Sequence, residues 1–160
     1  MEEQLLNLYA QLIKEATRLE VYTIRAEKDQ RPELAQMYKA LTLSHRAQAR
    51  RILLQVRGFI SHSDENLSLV IDEELPGFLT KYERCHQLAV EANNKAVATG
   101  CDHALRITQI NLQLAKRAQE ERQLPDTFFI CDFCGFIASA KLPEACPICT
   151  AAARRFKKVC

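Results

Sequence analysis

Four cysteines fall in two C-x-x-C pairs close to the C-terminal end, Cys131-Asp132-Phe133-Cys134 and Cys146-Pro147-Ile148-Cys149. No other feature of the 160-residue chain limits its fold as tightly. Two turns that each present two thiolates give tetrahedral S4 coordination of a single ion, iron or zinc. With seven cysteines in all, an odd number, this spacing reads as metal ligation in a reducing compartment and not as a disulfide framework. Cys85 and Cys101 stand alone and are expected as small packed side chains, with Cys160 a terminal thiol. A segment of thirty-odd residues cannot bury a core of its own; below about 40 residues a metal, a disulfide or a partner is normally required. Metal binding at such a site contributes on the order of 10 kcal/mol, enough to fold a module of this size.

Ahead of the cysteines the hydrophobic period is helical. A first helix is expected from about Glu2 to Lys28, with Leu5, Leu8, Leu12, Leu19 and Tyr22 as its stripe. Asp29-Gln30-Arg31-Pro32 forms a tight connection, with Pro32 suited to the first turn of the next helix. The second helix is expected from Pro32 to Arg57, its stripe Leu34, Met37, Leu41, Ile52 and Val56, closed by Gly58. Residues 59–64 make a short crossover. Ser63 caps a third helix running to about Thr99, with Leu67, Val70, Ile71, Phe78, Leu88 and Val90 apolar and Gly100 as its stop. A fourth is expected from Asp102 to Gln119, with Ile107, Ile110, Leu112 and Leu114. The fold class is therefore mainly α: a four-helix bundle over residues 1–120, a linker over 121–126, and a small four-cysteine metal domain over 127–160.

No stretch is long and apolar enough to span a bilayer, and the acidic, amphipathic start MEEQLLNLYAQLIKE is not a signal peptide, so a cytoplasmic protein with no membrane partner is expected. The formal charge of +2 gives no ground for a nucleic-acid partner. The second helix carries Lys39, Arg46, Arg50, Arg51 and Arg57 without an interior acid, and the C-terminal end adds Arg154, Arg155, Lys157 and Lys158. Pairing with acids of the same chain is the plainer reading of these cations; an anionic partner is the sharper one.

The tail reads Phe128-Phe129-Ile130-Cys131-Asp132-Phe133-Cys134-Gly135-Phe136-Ile137, then Pro143-Glu144-Ala145-Cys146-Pro147-Ile148-Cys149, and later Phe156. It resembles the rubredoxin-like domain of rubrerythrins, and the order and length of the helices ahead of it match that family too, which implies a ferritin-like four-helix bundle followed by a rubredoxin-like, zinc-ribbon-type metal domain. The resemblance implies an S4 iron that passes electrons to a carboxylate-bridged diiron centre reducing peroxide, and a homodimer formed through the bundle. Thr150 departs from the pattern, since the family usually has Gly after the last cysteine. An amide aimed at sulfur is expected to be less well placed there, which leaves iron or zinc open.

A diiron site needs carboxylates from four helices, because two iron ions require several anionic oxygens. Glu15 and Glu74 match the first-helix and third-helix ligands of the family and are expected to point inward, Glu74 sharing a face with Ile71, Phe78 and Cys85. The second helix has no acid between Glu33 and Gly58, and the family's E-x-x-H pair falls on His45 and Gln48. The fourth has none between Asp102 and Glu120. The second acid of the third helix falls on Gly77, and Pro76 is expected to kink that helix near Glu74. The literal E-x-x-H, Glu83 to His86, is expected on a solvated face. No intact diiron centre is expected, and no catalytic residue is assigned. Glu15 and Glu74 still need an offset if buried. Three arrangements remain: a hydrogen-bonded network with His45 and Gln48, countered by His45, Lys81 or Lys116; one metal held by Glu15, His45 and Glu74; or a carboxylate turned to solvent.

Three functions follow. One is an electron carrier that keeps the S4 iron, with a redox partner protein. Another is a non-enzymatic zinc module whose bundle is a docking or dimerisation surface. The third is a peroxidase or oxidase with an altered bundle site, against which the missing carboxylates weigh.

Overall fold

The structure is a computed structural model and describes residues 1–56, 60–121 and 124–159. The ends expected at Arg57 and Gly58, and Cys160, lie outside the described residues. The chain forms two compact units, Met1–Ser61 and His62–Cys160. Helices dominate both, and the second ends in a three-stranded sheet.

In the first unit, α1 (Glu2–Lys28) and α2 (Pro32–Gln55) form an antiparallel hairpin. The packed positions of α1 are Leu5, Tyr9, Leu12, Ala16, Leu19, Thr23 and Ala26; those of α2 are Ala35, Tyr38, Thr42, His45, Ala49, Ile52 and Val56. Steps of three and four residues alternate in both, the period of a coiled-coil seam. Ala16, Ala26, Ala35 and Ala49 are all buried, so the helices approach closely where side chains are small. Of the expected stripes, Leu5, Leu12, Leu19, Ile52 and Val56 lie in this seam. Leu8, Tyr22, Met37 and Leu41 flank the seam and are exposed. The Tyr22 and Tyr38 rings meet at 5.8 Å, and Glu27–Lys39 and Glu20–Arg46 bridge the hairpin at 2.7 and 2.6 Å. These are solvent-exposed pairs, each worth well under about 1 kcal/mol.

The turn between α1 and α2 is a Schellman motif. The Arg31 amide donates to the Ala26 carbonyl at 2.9 Å and the Gln30 amide to the Glu27 carbonyl at 3.2 Å, with Gln30 at φ 55. The same motif closes α4: Asn94 donates to Ala89 at 2.8 Å, Asn93 to Val90 at 3.0 Å, and Asn93 has φ 53. Asn94 then caps the next helix, its Oδ1 accepting the Val97 amide at 3.2 Å. This turn corrects the expected boundary at Gly100. The third helix stops at Glu91, and α5 runs from Lys95 to Glu121 with Gly100 in its interior. Asparagine tolerates the left-handed region that ends a helix, so the stop signal was Asn93-Asn94 and not glycine.

The second unit opens with α3 (Ser63–Leu69), which passes without interruption into a π-helical turn (Val70–Glu74) and then α4 (Leu75–Glu91). Proline explains the turn. Pro76 has no N–H to give and its ring would crowd the preceding carbonyls of a regular helix. A widened turn, with the Leu75 amide reaching back to the Val70 carbonyl, takes up the misfit while the backbone stays helical on both sides. The expected kink is thus a π turn. It also adds one residue, which rotates everything after it by roughly 100° relative to a regular count. The packed face of α4 becomes Leu75, Leu79, Tyr82, His86 and Ala89, while Phe78, Cys85, Leu88 and Val90 are exposed. α4 packs along α5, and Gln119 of α5 donates to the Ser68 hydroxyl of α3 at 3.2 Å.

After α5 come β1 (Phe128–Cys131), β2 (Ile137–Ser139) and β3 (Phe156–Val159), an antiparallel sheet with β1 in the centre. Register pairs Phe129 with Ala138 and Lys158, and Cys131 with Phe156.

Gln30 occupies a left-handed position with no special tolerance for it, whereas Asn93 is better suited. Gln30→Gly is expected to raise unfolding free energy by about 1 kcal/mol and Asn93→Gly by less than half of that. Urea titration followed by circular dichroism measures both; equal gains at the two positions would show that the turn conformation is not what limits stability.

Candidate metal centre

Two short turns build the site, and they are near copies of one another. Each begins on a cysteine whose amide is tied down five residues on: Cys131 donates to the Phe136 carbonyl at 2.9 Å, and Cys146 to the Ala151 carbonyl at 2.8 Å. Each closes by a return bond, from Gly135 to Cys131 at 2.8 Å and from Thr150 to Cys146 at 2.9 Å. The residue after the second cysteine is left-handed in both, Gly135 at φ 84 and Thr150 at φ 62. Thr150 therefore adopts the backbone that glycine would give, and its amide keeps its place in the turn. A β-branched residue is poorly suited to that region, at a cost of about 1–2 kcal/mol.

The four sulfurs converge. All lie within 4.8 Å of one another, with Cys131–Cys149 at 3.7 Å and Cys134–Cys146 at 3.6 Å. A metal–sulfur bond of about 2.3 Å places the corners of a tetrahedron about 3.8 Å apart. The residues present thus fit one zinc-sized or iron-sized ion. Among the described residues this is the set of three or more histidine, cysteine or acidic side chains whose ligand atoms come together.

Burial and backbone dipoles set the thiol chemistry. Cys131 and Cys146 are 1% and 2% exposed, while Cys134 and Cys149 are half-buried. Burial opposes a Cys131 thiolate, but the amides of Cys134 and Phe133 and the thiols of Cys134 and Cys149 outweigh it and bring its pKa below the ordinary value. Burial pushes the Cys134 and Cys149 thiols up, against one amide each, from Phe136 and Ala151. Amides aimed at sulfur favour the thiolate, and hence the metal-bound form.

The site is joined to the helices. Ile107 of α5 lies in one apolar cluster with Cys131, Cys146 and Ile148, and Phe136, Ala151 and Phe156 pack against it. The Phe136 and Phe156 rings meet edge to face at 6.5 Å. Asp132, inside the first turn, receives Lys157 Nζ at 2.8 Å and lies 3.8 Å from Arg155, while its amide donates to the Arg155 carbonyl at 2.8 Å. The sequence alone marked Ile107 only as one apolar residue of its helix; its role depends on where the tail folds back.

Of the three remaining candidates, Glu15 and His45 belong to the first unit and Glu74 to the second. Glu15 is half-buried on α1 and meets Arg18 at 3.1 Å. In the second unit Lys81 sits over the Phe78 ring at 5.6 Å. His45 is a seam residue of α2, and its Nδ1 is buried without a hydrogen-bond partner; Gln48 is exposed and donates to Ser44. Glu74 belongs to the second unit and is exposed at the end of the π turn. The face expected to hold Glu74 with Ile71, Phe78 and Cys85 does not exist, because the extra residue separates Ile71 from the other two. Glu83 is exposed as expected, but the same rotation brings His86 onto the packed face. Asn111 of α5, which sequence reading did not single out, has a buried Oδ1 without a partner.

Residues 129–157 match the family described as the rubredoxin-like domain of rubrerythrin. Two solved structures of nigerythrin, one in a mixed-valence state and one partially reduced, are similar along nearly the whole chain. They share 18% and 17% identity, with TM-scores of 0.56 and 0.53, and each alignment covers 99% of this chain and 86% of theirs. No curated protein matches. The chain is thus rubrerythrin-like: helices of that fold followed by a rubredoxin-like four-cysteine site able to hold one metal ion.

Two outcomes are expected from the thiol geometry. Thr150→Gly removes a strained backbone position, so zinc affinity rises about tenfold, since 1.4 kcal/mol of folding is 1.4 kcal/mol of binding. Competition with a chromophoric chelator reads the change, and an unaltered affinity would show that the turn is not strained. The Cys134 and Cys149 thiols are protonated at neutral pH in the metal-free tail, so binding expels at least two protons. Apparent zinc affinity is expected to fall at least about a hundredfold per unit as pH drops below the ordinary thiol range, and a slope near zero would mean the thiolates are already formed.

Proposed function

We propose that this protein is a one-electron carrier whose centre is a single iron held by Cys131, Cys134, Cys146 and Cys149. The observation that carries the reading is the convergence of four sulfurs at tetrahedral spacing inside two turns whose amides point at them. Iron bound there supplies one-electron chemistry between its two common oxidation states. The surrounding residues supply the rest. The amides of Phe133, Cys134, Phe136 and Ala151 disperse the negative charge of the thiolates, and the apolar cluster with Ile107 excludes water from one side. A ring of two similar turns also moves little when one charge is added, because each turn is closed by its own backbone bonds.

In this reading the helices are scaffold, and the diiron peroxidase centre of the resembling family is lost. α2 offers no acid after Glu33, and α5 none between Asp102 and Glu120. Glu15, His45 and Glu74 are what remains of a ligand set, too few anionic oxygens for two irons. The chain works in the cytoplasm as a homodimer, with a redox protein as its partner. Exposed Leu8, Tyr22, Met37, Leu41, Leu43 and Leu54 on the α1–α2 hairpin support both the dimer and the second reading. That second reading is a zinc module whose ion only folds the tail while the hairpin docks or dimerises.

Metal analysis with a visible spectrum, on protein purified without added metal, separates them. The expected result is one iron per chain, with a thiolate-to-iron charge-transfer colour that bleaches on reduction. One colourless zinc, with iron supplied during expression, would replace the carrier by the zinc module. More than one metal per chain would restore a site in the helices, and His45→Ala would then lower peroxide consumption, which is otherwise expected to stay unchanged.

A further inference from the structure

The four sulfurs are not equivalent. Cys131 and Cys146 are buried in the apolar cluster with Ile107 and Ile148. Cys134 and Cys149 are half-buried, so small solutes reach these two first. Their neighbours Phe133 and Thr150 are exposed. Each turn thus holds one sealed sulfur, on its first cysteine, and one accessible sulfur, on its second.

Two close sulfur contacts cross between the turns. Cys149 meets Cys131 at 3.7 Å and Cys134 meets Cys146 at 3.6 Å, across 18 and 12 positions of the chain. Each contact joins an accessible sulfur to a sealed one of the other turn. Thiol oxidation needs this division: one thiolate open to the oxidant, and a second beside it to turn the product into a disulfide. Closing a contact of this length to an S–S bond moves the sulfurs by about 2 Å, within reach of side-chain rotation.

We propose that the four-cysteine centre is a peroxide-responsive thiol switch, in which Cys134 and Cys149 take the oxidant, Cys146 and Cys131 close on them, and the ion is expelled. The Cys134 thiolate attacks one peroxide oxygen; the O–O bond breaks, Cys134 becomes a sulfenic acid and hydroxide leaves. The Cys146 thiolate then attacks the Cys134 sulfur; the S–S bond forms, the S–O bond breaks and a second hydroxide leaves. Cys149 and Cys131 repeat the sequence with a second peroxide. Four thiolates lose four electrons, two peroxides become four hydroxides, and no thiolate is left to hold the ion. Both bonds run from turn to turn, so they tie together the turns that the ion tied. A dithiol reductant reopens each bond with two electrons, which makes the oxidised state transient in a reducing compartment. The inference stands on the arrangement of the four thiolates and not on the carrier reading.

The test uses the full zinc-loaded chain, since zinc neither gives nor takes electrons here. Cys85→Ser, Cys101→Ser and Cys160→Ser leave the four ligands as the reacting thiols. Hydrogen peroxide is added, and zinc release is followed with a chromophoric chelator against a peroxide-free control. One zinc is expected to leave, and four thiols to be lost, per two peroxides consumed. Trypsin, cutting after Lys141, then parts the two turns. The peptides are expected to stay joined, with fragmentation linking Cys131 to Cys149 and Cys134 to Cys146. Below one peroxide per chain, dimedone is expected to label Cys134 and Cys149 about tenfold more than Cys131 and Cys146. Dithiothreitol is expected to restore four thiols and one bound zinc. Disulfides confined within each turn, sulfinic or sulfonic acids in place of disulfides, or equal labelling of all four sulfurs would overturn the switch. The iron content and reducible colour that test the carrier are read on untreated protein, so each reading fails by itself.

Discussion

Four sulfur atoms held within 4.8 Å of one another decide the state of the tail. Three strands of three or four residues and two turns bury almost nothing by themselves. Without an ion, four thiols at this spacing are a poor arrangement: burial disfavours charge on Cys134 and Cys149, and neutral thiols gain little from the amides aimed at them. With an ion the same amides and the same burial become favourable, since thiolates are what both turns are shaped to receive. Folding of the tail and metal binding are therefore one equilibrium. Its consequences reach α5, because the cluster formed by Cys131, Cys146 and Ile148 includes Ile107.

How far the sequence foretold this depended on whether the signal was chemical or geometric. The ligands were legible because C-x-x-C spacing has one strong interpretation, and the structure brings those four side chains together. The first two helices were legible because Pro32 and the polar run before it punctuate the chain clearly. The turn at 92–94 was missed because its left-handed residue is Asn93, while Gly100, which looked like a stop, sits inside α5. The hairpin seam was legible only in part: Leu5, Leu12, Leu19, Ile52 and Val56 lie in it, but Ala16, Ala35, Thr42 and Ala49, which pack closest, carry no strong hydrophobic signal. Leucines to either side were assigned to a core they flank.

The site in the helices was the least legible, for a related reason. Glu15, His45 and Glu74 were chosen by matching positions along the chain, and position becomes direction only if the helix keeps a constant period. In α2 it does, and His45 lies in the seam as an inward residue should. Across Val70–Glu74 it does not, and Glu74 ends exposed.

That π turn means the interior of the helix after it is a matter of length as much as of composition. Removing one residue from the stretch 70–75 would close it to a regular turn, with Leu79 then seven positions after Ile71, and the 17 residues of α4 would keep their facing. Undoing the turn at the same length would instead carry Phe78 and Cys85 inward in place of Leu79 and His86, with no side chain in α4 altered. The π turn is thus the point at which the chain takes up one residue of length without repacking the helix beyond it.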